Sequence, residues 1–361
     1  MSHILEENKE EEKYVELALK IAHDAVLPMV VKSALELKII HIISKSTADG
    51  SYITSLEIAT QMLTKNPDAP VMLDRMLRLL AGHDVVKCRV AATEDGGVER
   101  SYSAGPMCRI LLPNEDGGSL GDFILMLNDQ VPMKSWYHLN DSILDGGIPS
   151  NRANKMMLYE YLGTDPRFSS VFNNGQGNYT KLFMKKMVQV YKGFHDFKVL
   201  VDVGGGSGAS IATVVSENPH IKVINYDLPH VIANAPSYPG VEHVGGDMFS
   251  SIPKADGIML KNVLHNYGDD HCTKIIKNCY DALSNGGKMV VIDYVLPEIS
   301  GNDNFSHVVL AQDVLMMAQL PGGKERTLKE FETFAQKSGF VRFEVHNQIF
   351  NMWVMEFHKS A

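Results

Sequence analysis

Apolar and polar positions follow one rhythm in the first half of the chain and another in the second, and the change near residue 196 predicts two kinds of architecture. Between residues 14 and 45 apolar side chains recur at helical spacing: Val15, Leu17, Ile21, Val26, Met29, Val30, Ala34, Leu35, Leu37, Ile40, Ile42 and Ile43. So dense a stripe predicts helix that is apolar on more than one side, to be buried in its own core or against a second copy of the chain. Residues 55–80 read as two short helices around Lys65-Asn66-Pro67-Asp68, and residues 84–103 as two short strands around Glu94-Asp95-Gly96-Gly97. Two helices followed by a hairpin describe a winged helix. Residues 106–195 are expected to be helical with loops.

From Phe197 onward, apolar runs at 197–203, 221–227, 241–245, 256–264 and 288–296 alternate with helical stretches near 207–217, 229–235, 269–284 and 304–319. This alternation predicts an α/β fold: a doubly wound, mostly parallel, Rossmann-like sheet with helices on both faces. Phe340–Asn347 and Phe350–His358 are too close for a crossover helix and should close the sheet as an antiparallel hairpin. Three parts are expected: residues 1–110 as a winged-helix-like dimerisation domain, 111–195 as a helical segment contributing to an acceptor pocket, and 196–361 as the cofactor-binding domain.

The first run of the second half breaks into Gly204-Gly205-Gly206-Ser207-Gly208, and Asp227 closes the next run, 23 residues after Gly204. Glycines let the backbone approach a ligand, and an acid at the end of the following strand reaches the two hydroxyls of a ribose. A nucleoside-bearing cofactor is therefore expected. Gly204, Gly206 and Ala209 satisfy the NAD pattern, while Gly204, Gly206 and Gly208 satisfy that of S-adenosylmethionine sites, and the turn alone leaves both open.

Composition narrows the classes. The formal net charge of −9, from 34 basic and 43 acidic residues, argues against a large nucleic-acid or anionic-membrane footprint. The second helix of the winged-helix segment offers Lys65, Arg75 and Arg78 against Asp68 and Asp74, which favours a wing reused for packing. No apolar run approaches the ~20 residues of a membrane span. Met1 to Lys13 lacks the apolar core of a secretory signal, so a cytoplasmic protein is expected. Cys88, Cys108, Cys272 and Cys279 show no metal spacing and are expected to be reduced.

Further candidates fall at the carboxyl ends of the expected strands, where such sheets hold ligands. Asp247 can accept from an adenine amino group with Met248 against the ring, and Lys261 and His265 end the run Ile258-Met259-Leu260-Lys261-Asn262-Val263-Leu264-His265. Alone, His265 reads as a packed or capping histidine, and Asp293 and Glu325 as surface or capping acids.

Four longer stretches carry a resemblance: Leu27-Pro28-Met29-Val30-Val31-Lys32-Ser33-Ala34-Leu35-Glu36-Leu37, Asp227-Leu228-Pro229-His230-Val231-Ile232, Tyr238 to Phe249, and Pro321-Gly322-Gly323-Lys324-Glu325-Arg326-Thr327. With them the chain resembles, from the N-terminal stripe to the last strand, the plant small-molecule O-methyltransferases of the caffeic acid type, which use S-adenosylmethionine. The resemblance implies that Gly204, Asp227, Leu228, Asp247, Met248 and Lys261 contact the cofactor, that His265 is the general base, and that Asp293 and Glu325 flank it. It also implies a homodimer through the N-terminal domain and a reaction without metal.

The chain departs from that family's pattern in places. Asp293 stands where Glu is usual, one methylene shorter, and Asn266-Tyr267 replaces Asp-Trp after the histidine. Alignment with similar enzymes lines the acceptor pocket with Met126, Leu127, Pro132, Leu158, Leu162 and Phe168. It adds Phe172, Gln176, Tyr179, Leu315, Met316 and Leu320. Leu127 and Leu320 replace asparagines, Leu162 and Tyr179 histidines, and Gln176 a methionine. An apolar wall leaves the polar groups of a small hydroxycinnamate unpaired. The expected acceptor is therefore a bulkier phenol, a lignan, a benzylisoquinoline-type alkaloid or a flavonoid, in preference to a hydroxycinnamate. An NAD-linked oxidoreductase and a winged-helix regulator that senses a metabolite are the competing readings.

Overall fold

The computed structural model describes residues 2–94 and 96–361, with the backbone alone for residues 2–9. Met1 and Asp95, which belong to two segments read above, lie outside the described residues. The chain divides into two units, Met1–Asn128 and Asp129–Ala361.

In the first unit the dense stripe is split among three helices, Ser2–His23, Val26–Glu36 and Ile39–Ser46. The second break falls at Lys38, whose φ of 57° is left-handed. Because the apolar spacing runs on through Leu37 and Ile39 without Gly or Pro, periodicity alone does not reveal it. Ala34, Ile39, Ile40 and Ile43 enter the core of this unit, whereas Tyr14, Val15, Leu17, Ile21, Val26 and Met29 are exposed in the single chain. The winged helix follows as expected. Helices Ser55–Gln61 and Ala69–Ala81 lie in the chain between the first and second strands of a small antiparallel sheet, β1 (Ile53–Thr54), β2 (Val86–Ala92) and β3 (Val98–Ala104), in the order β1-β3-β2. Thr54 and Glu57 form a capping box that starts the first of these helices. Leu73, Leu77 and Leu80 pack into the same core as Ile58, and buried Tyr102 donates its hydroxyl to Asp74 Oδ1 at 2.6 Å.

The second unit is built on β4 (Val199–Val203), β5 (Lys222–Asp227), β6 (Val241–Gly245), β7 (Ala255–Lys261), β8 (Leu283–Leu296), β9 (Arg326–Thr327), β10 (Arg342–Ile349) and β11 (Met352–His358). Their order is β10-β11-β8-β7-β4-β5-β6, with β9 beside β8. Strands β6, β5, β4, β7 and β8 are parallel, and β11 and β10 close the edge antiparallel. The expected doubly wound sheet with its terminal hairpin is the observed one. Val201, Val203, Ile258, Leu260 and Val291 are buried, as in strands covered on both faces, and Cys272, Ile275, Ile276 and Cys279 of helix Asp269–Ala282 join their core. The chain leaves β4 for β5 on one side and β7 lies on the other, so a crevice opens at the carboxyl end of β4.

A helix at Leu328–Lys337, absent from the expected elements, precedes the hairpin. Its Thr327–Glu330 capping box was the available signal. The stretch 229–235 forms only a short helix, Pro229–Ile232. No described helix is long and apolar enough to cross a membrane.

Candidate active site

The glycine turn closes on itself through Gly208 N–H to the Gly205 carbonyl at 3.0 Å and is also held by β5. Gly204 N–H donates to the Tyr226 carbonyl at 2.9 Å, and Gly206 N–H donates to Asp227 Oδ2 at 2.8 Å. Leu228 N–H takes the other Asp227 oxygen at 2.7 Å. Gly204 and Gly206 adopt φ of 71° and 58°, a backbone that disfavours any side chain. A Cβ at Gly206 would meet nothing within 4 Å, so the turn faces open space. Beside it, Asp202 Oδ2, Asn225 Oδ1 and Asn262 Oδ1 are buried with no protein partner among the described residues. Asp247 braces the next loop by accepting from Phe249 N–H at 2.9 Å and from the Ser250 hydroxyl at 3.1 Å, and the Met248 carbonyl takes Asn278 at 2.8 Å.

Lys261 ends β7, partly buried, and donates to Thr180 Oγ1 at 3.3 Å. Burial pulls its ammonium down to about 8, against the attraction of Asp202 and Asp293. Burial likewise lifts the Asp202 carboxyl to about 7, with Lys261 opposing.

Four residues on, His265 sits in the 3-10 turn Leu264–Asn266. Its Nδ1 lies 2.9 Å from Glu325 Oε1 and 3.6 Å from Asp293 Oδ1. The first is a hydrogen bond and the second is beyond one. Both Asp293 oxygens and Glu325 Oε2 are buried without a hydrogen-bond partner among the described residues. Burial, the largest influence on His265, lowers its pKa, but the carboxylates of Glu325 and Asp293 outweigh it, so the imidazole stands above its ordinary 6.5. Burial in turn raises the Asp293 carboxyl above the carboxylate range.

Arg326, buried beside Glu325, fastens the histidine turn. It donates to the Leu264 carbonyl at 2.9 Å, the Tyr267 carbonyl at 2.8 Å and Asp269 Oδ1 at 2.8 Å, while Lys324 N–H donates to the His265 carbonyl at 3.0 Å.

This site sits in a chain whose two parts both match known families: an O-methyltransferase dimerisation domain over residues 19–114 and an O-methyltransferase domain over residues 136–341. Caffeic acid 3-O-methyltransferase of Medicago sativa is 53% identical over 344 residues, covering 95% of this chain and 94% of that protein. Caffeic acid 3-O-methyltransferase 1 of Ocimum basilicum is 50% identical over 352 residues, covering 98% and 97%. The chain belongs to the plant caffeic acid O-methyltransferase family. Human N-acetylserotonin methyltransferase in complex with SAM shares the fold, with a TM-score of 0.80 at 17% identity over 96% of this chain and 98% of that one.

Membership sets aside the NAD and regulator readings: this is an S-adenosylmethionine-dependent O-methyltransferase, and its N-terminal domain is a dimerisation domain. Exposed apolar side chains at Leu19, Ile21, Val26 and Met29 lie within that domain. The turn fits the cofactor. Gly206 leaves room for a ligand, Asp227 keeps lone pairs for ribose hydroxyls after taking two N–H groups, and the orphaned polar atoms beside the turn await partners.

Among the pocket candidates, Leu158, Phe168, Met316 and Leu320 share one apolar cluster, with Leu162, Phe172 and Leu315 packed against it. Pro132 is buried in helix Gln130–Ser135. Gln176 and Tyr179 lie on helix Pro166–Val190, one turn apart. Met126 and Leu127 end helix Gly121–Leu127 of the first unit.

The preference for a lignan, alkaloid or flavonoid over a hydroxycinnamate is corrected by these relatives, which are named for caffeic acid, itself a hydroxycinnamate. The physical error lay in treating the wall as apolar. Tyr179 is not alone: its hydroxyl lies 2.9 Å from that of Tyr294, both buried. The Tyr294 ring runs nearly parallel to the His265 ring, 12° between planes with centroids 6.5 Å apart. Tyr294, Asp202 and Arg326 are site residues that sequence reasoning did not single out, and only Asp202, an acid inside an apolar strand, carries a visible signal.

Proposed function

We propose that this enzyme transfers a methyl group from S-adenosylmethionine to a phenolic hydroxyl of a hydroxycinnamate of the caffeic acid kind, with His265 as general base. Gly204, Asp227, Leu228, Asp247, Met248 and Lys261 would hold the cofactor. When bound, the cofactor supplies a methyl group made electrophilic by its sulfonium. The pocket residues of the second unit named above, from residues 129–195 and from the helix Asn304–Gln319 and its C-cap Leu320, would hold the acceptor ring.

The observation that carries this reading is the buried hydrogen bond of Glu325 Oε1 with His265 Nδ1. A carboxylate there accepts from Nδ1–H and leaves Nε2 bare to receive a proton. A phenol titrates near ~10 and an imidazole near ~6.5, so a standing phenolate is unfavourable and the proton should leave to Nε2 as the oxygen attacks. The imidazolium so formed is stabilised by Glu325 and, at longer range, by Asp293. Burial of the three side chains keeps water from competing for the proton. The four cysteines are free thiols, which suits a cytoplasmic enzyme.

The test is transfer of labelled methyl to caffeate by the purified protein, with His265→Ala as the variant. Loss of transfer with cofactor binding intact is the expected result. A variant that still methylates caffeate at the wild-type rate removes His265 from the reaction.

A further inference from the structure

The terminal hairpin carries the same step on each strand, Glu344-Val345-His346 on β10 and Glu356-Phe357-His358 on β11. In the antiparallel register Glu344 stands directly opposite Glu356, an arrangement in which like charges repel. Two imidazoles flank the carboxylates. His346 Nε2 lies 3.1 Å from Glu356 Oε2 and 3.7 Å from Glu344 Oε2. His358 Nε2 lies 3.0 Å and 3.1 Å from the same two oxygens.

The remaining carboxylate oxygens are taken by other groups. Glu356 Oε1 accepts from Lys288 at 2.7 Å and from the Tyr191 hydroxyl, and Glu344 Oε1 accepts from Arg342 at 2.8 Å. Both Oε2 atoms are thereby turned toward the histidines. Glu356 is only 3% exposed, and the Tyr191 ring meets the His346 ring edge-on with centroids 5.7 Å apart. Donor atoms of Glu344, His346 and Glu356 all lie within 4.8 Å of one another.

We infer that this paired Glu-x-His ribbon binds a divalent transition-metal ion of the zinc class. Zinc takes imidazole nitrogen and carboxylate oxygen at about 2.0–2.2 Å, which in a tetrahedron sets neighbouring donors about 3.3 Å apart. The nitrogen–oxygen separations here bracket that value. Imidazoles beside carboxylates select zinc, cobalt or nickel over magnesium or calcium, which prefer oxygen alone. Lys288 and Tyr191 hold the Glu356 ligand from behind. A groove lined in part by Lys198, Lys254, Lys288, Glu344 and Glu356 gives access from solvent.

The site is remote from the chemistry. His358 pairs with Lys288, which pairs with Gly257 near the amino end of β7, whereas His265 follows its carboxyl end. The ion therefore takes no part in methyl transfer. One group competes with it: Arg342 lies 3.0 Å from His358 Nδ1, and because a guanidinium only donates, that nitrogen accepts and Nε2 carries the proton. Metal entry moves this proton from Nε2 to Nδ1 and releases the exposed Arg342 side chain.

The test is calorimetric titration of the full-length protein with Zn2+, joined to the visible absorption of added Co2+. One tight site per chain is expected, weakened about a hundredfold or more in His346→Ala and Glu344→Ala and strengthened in Arg342→Ala. Methyl transfer should be unchanged in all three. His265→Ala should keep the site, which separates it from the cluster of His265, Asp293 and Glu325. Binding that survives His346→Ala, that falls with His265→Ala, or that is missing from the folded wild-type protein overturns the inference. His346→Gln, which keeps the side-chain volume, replaces the alanine variant if circular dichroism reports a loss of fold.

Discussion

Asp293 stops 3.6 Å from His265 Nδ1, while Glu325, on a different segment, closes to 2.9 Å. One ring hydrogen serves only the nearer oxygen, so the two acids divide the work unequally. Glu325→Gln can offer its amide N–H to Nδ1 and trap the tautomer whose Nε2 already bears a proton. A fall in kcat on the order of 10³ is expected, against about tenfold for Asp293→Asn, in steady-state assays with caffeate. Equal losses would mean that orientation does not depend on the closer acid.

The raised pKa of His265 fixes the direction of the pH response. The imidazole works only when neutral, so transfer should grow as pH rises through a value above 6.5. Glu325→Gln removes the main attraction for the proton and should move that limb to lower pH. Stability runs the other way. A raised folded pKa contributes stabilisation that is complete below the unfolded value and is lost as pH rises through the folded one. Paired pH–rate and pH–Tm curves check both signs, and a limb displaced upward by Glu325→Gln refutes the assignment.

Asp227 holds two backbone N–H groups of the glycine turn and the following residue. Asp227→Ala should therefore weaken S-adenosylmethionine at least about tenfold and lower stability by about 1–3 kcal/mol, since two donors lose a charged acceptor. Calorimetry and thermal melts measure the two effects. Undiminished cofactor affinity would detach the carboxylate from the ribose role.

Tyr294 pairs its buried hydroxyl with that of Tyr179, one of the residues expected to line the acceptor pocket. Tyr294→Phe keeps the ring and removes that group. KM for caffeate should rise severalfold with kcat little changed, and a less polar phenol should be affected less. An unaltered KM ratio between the two acceptors would make the phenol pair purely structural.

Met29 is 45% exposed in the single chain, on the apolar face of the dimerisation domain. Met29→Asp would bury an unpaired charge between copies. Size-exclusion chromatography with light scattering should show a shift toward monomer, while an intact dimer places the contact elsewhere.

Much of the fold is legible in the chain because parallel strands and glycine turns leave strong local marks. The mostly apolar runs that become β4, β5 and β7 are short and separated by helical spacing, and Gly204 with Asp227 announces where two strand ends meet. The break at Lys38 is hidden, since a left-handed lysine has the same letter as any other. The acceptor wall is harder still. Tyr179 and Tyr294 meet across 115 residues, so neither position alone shows that a polar pair has formed. Reading substitutions one at a time therefore misjudged the polarity of the pocket.

Arg326 ties the carbonyls on either side of His265 to the strand that begins directly after Glu325. Base and acid thus ride on one stitched plate, whose several bonds must part together before the pair can drift. Heat inactivation should accordingly coincide with loss of the fold, leaving no temperature window in which an intact enzyme is idle.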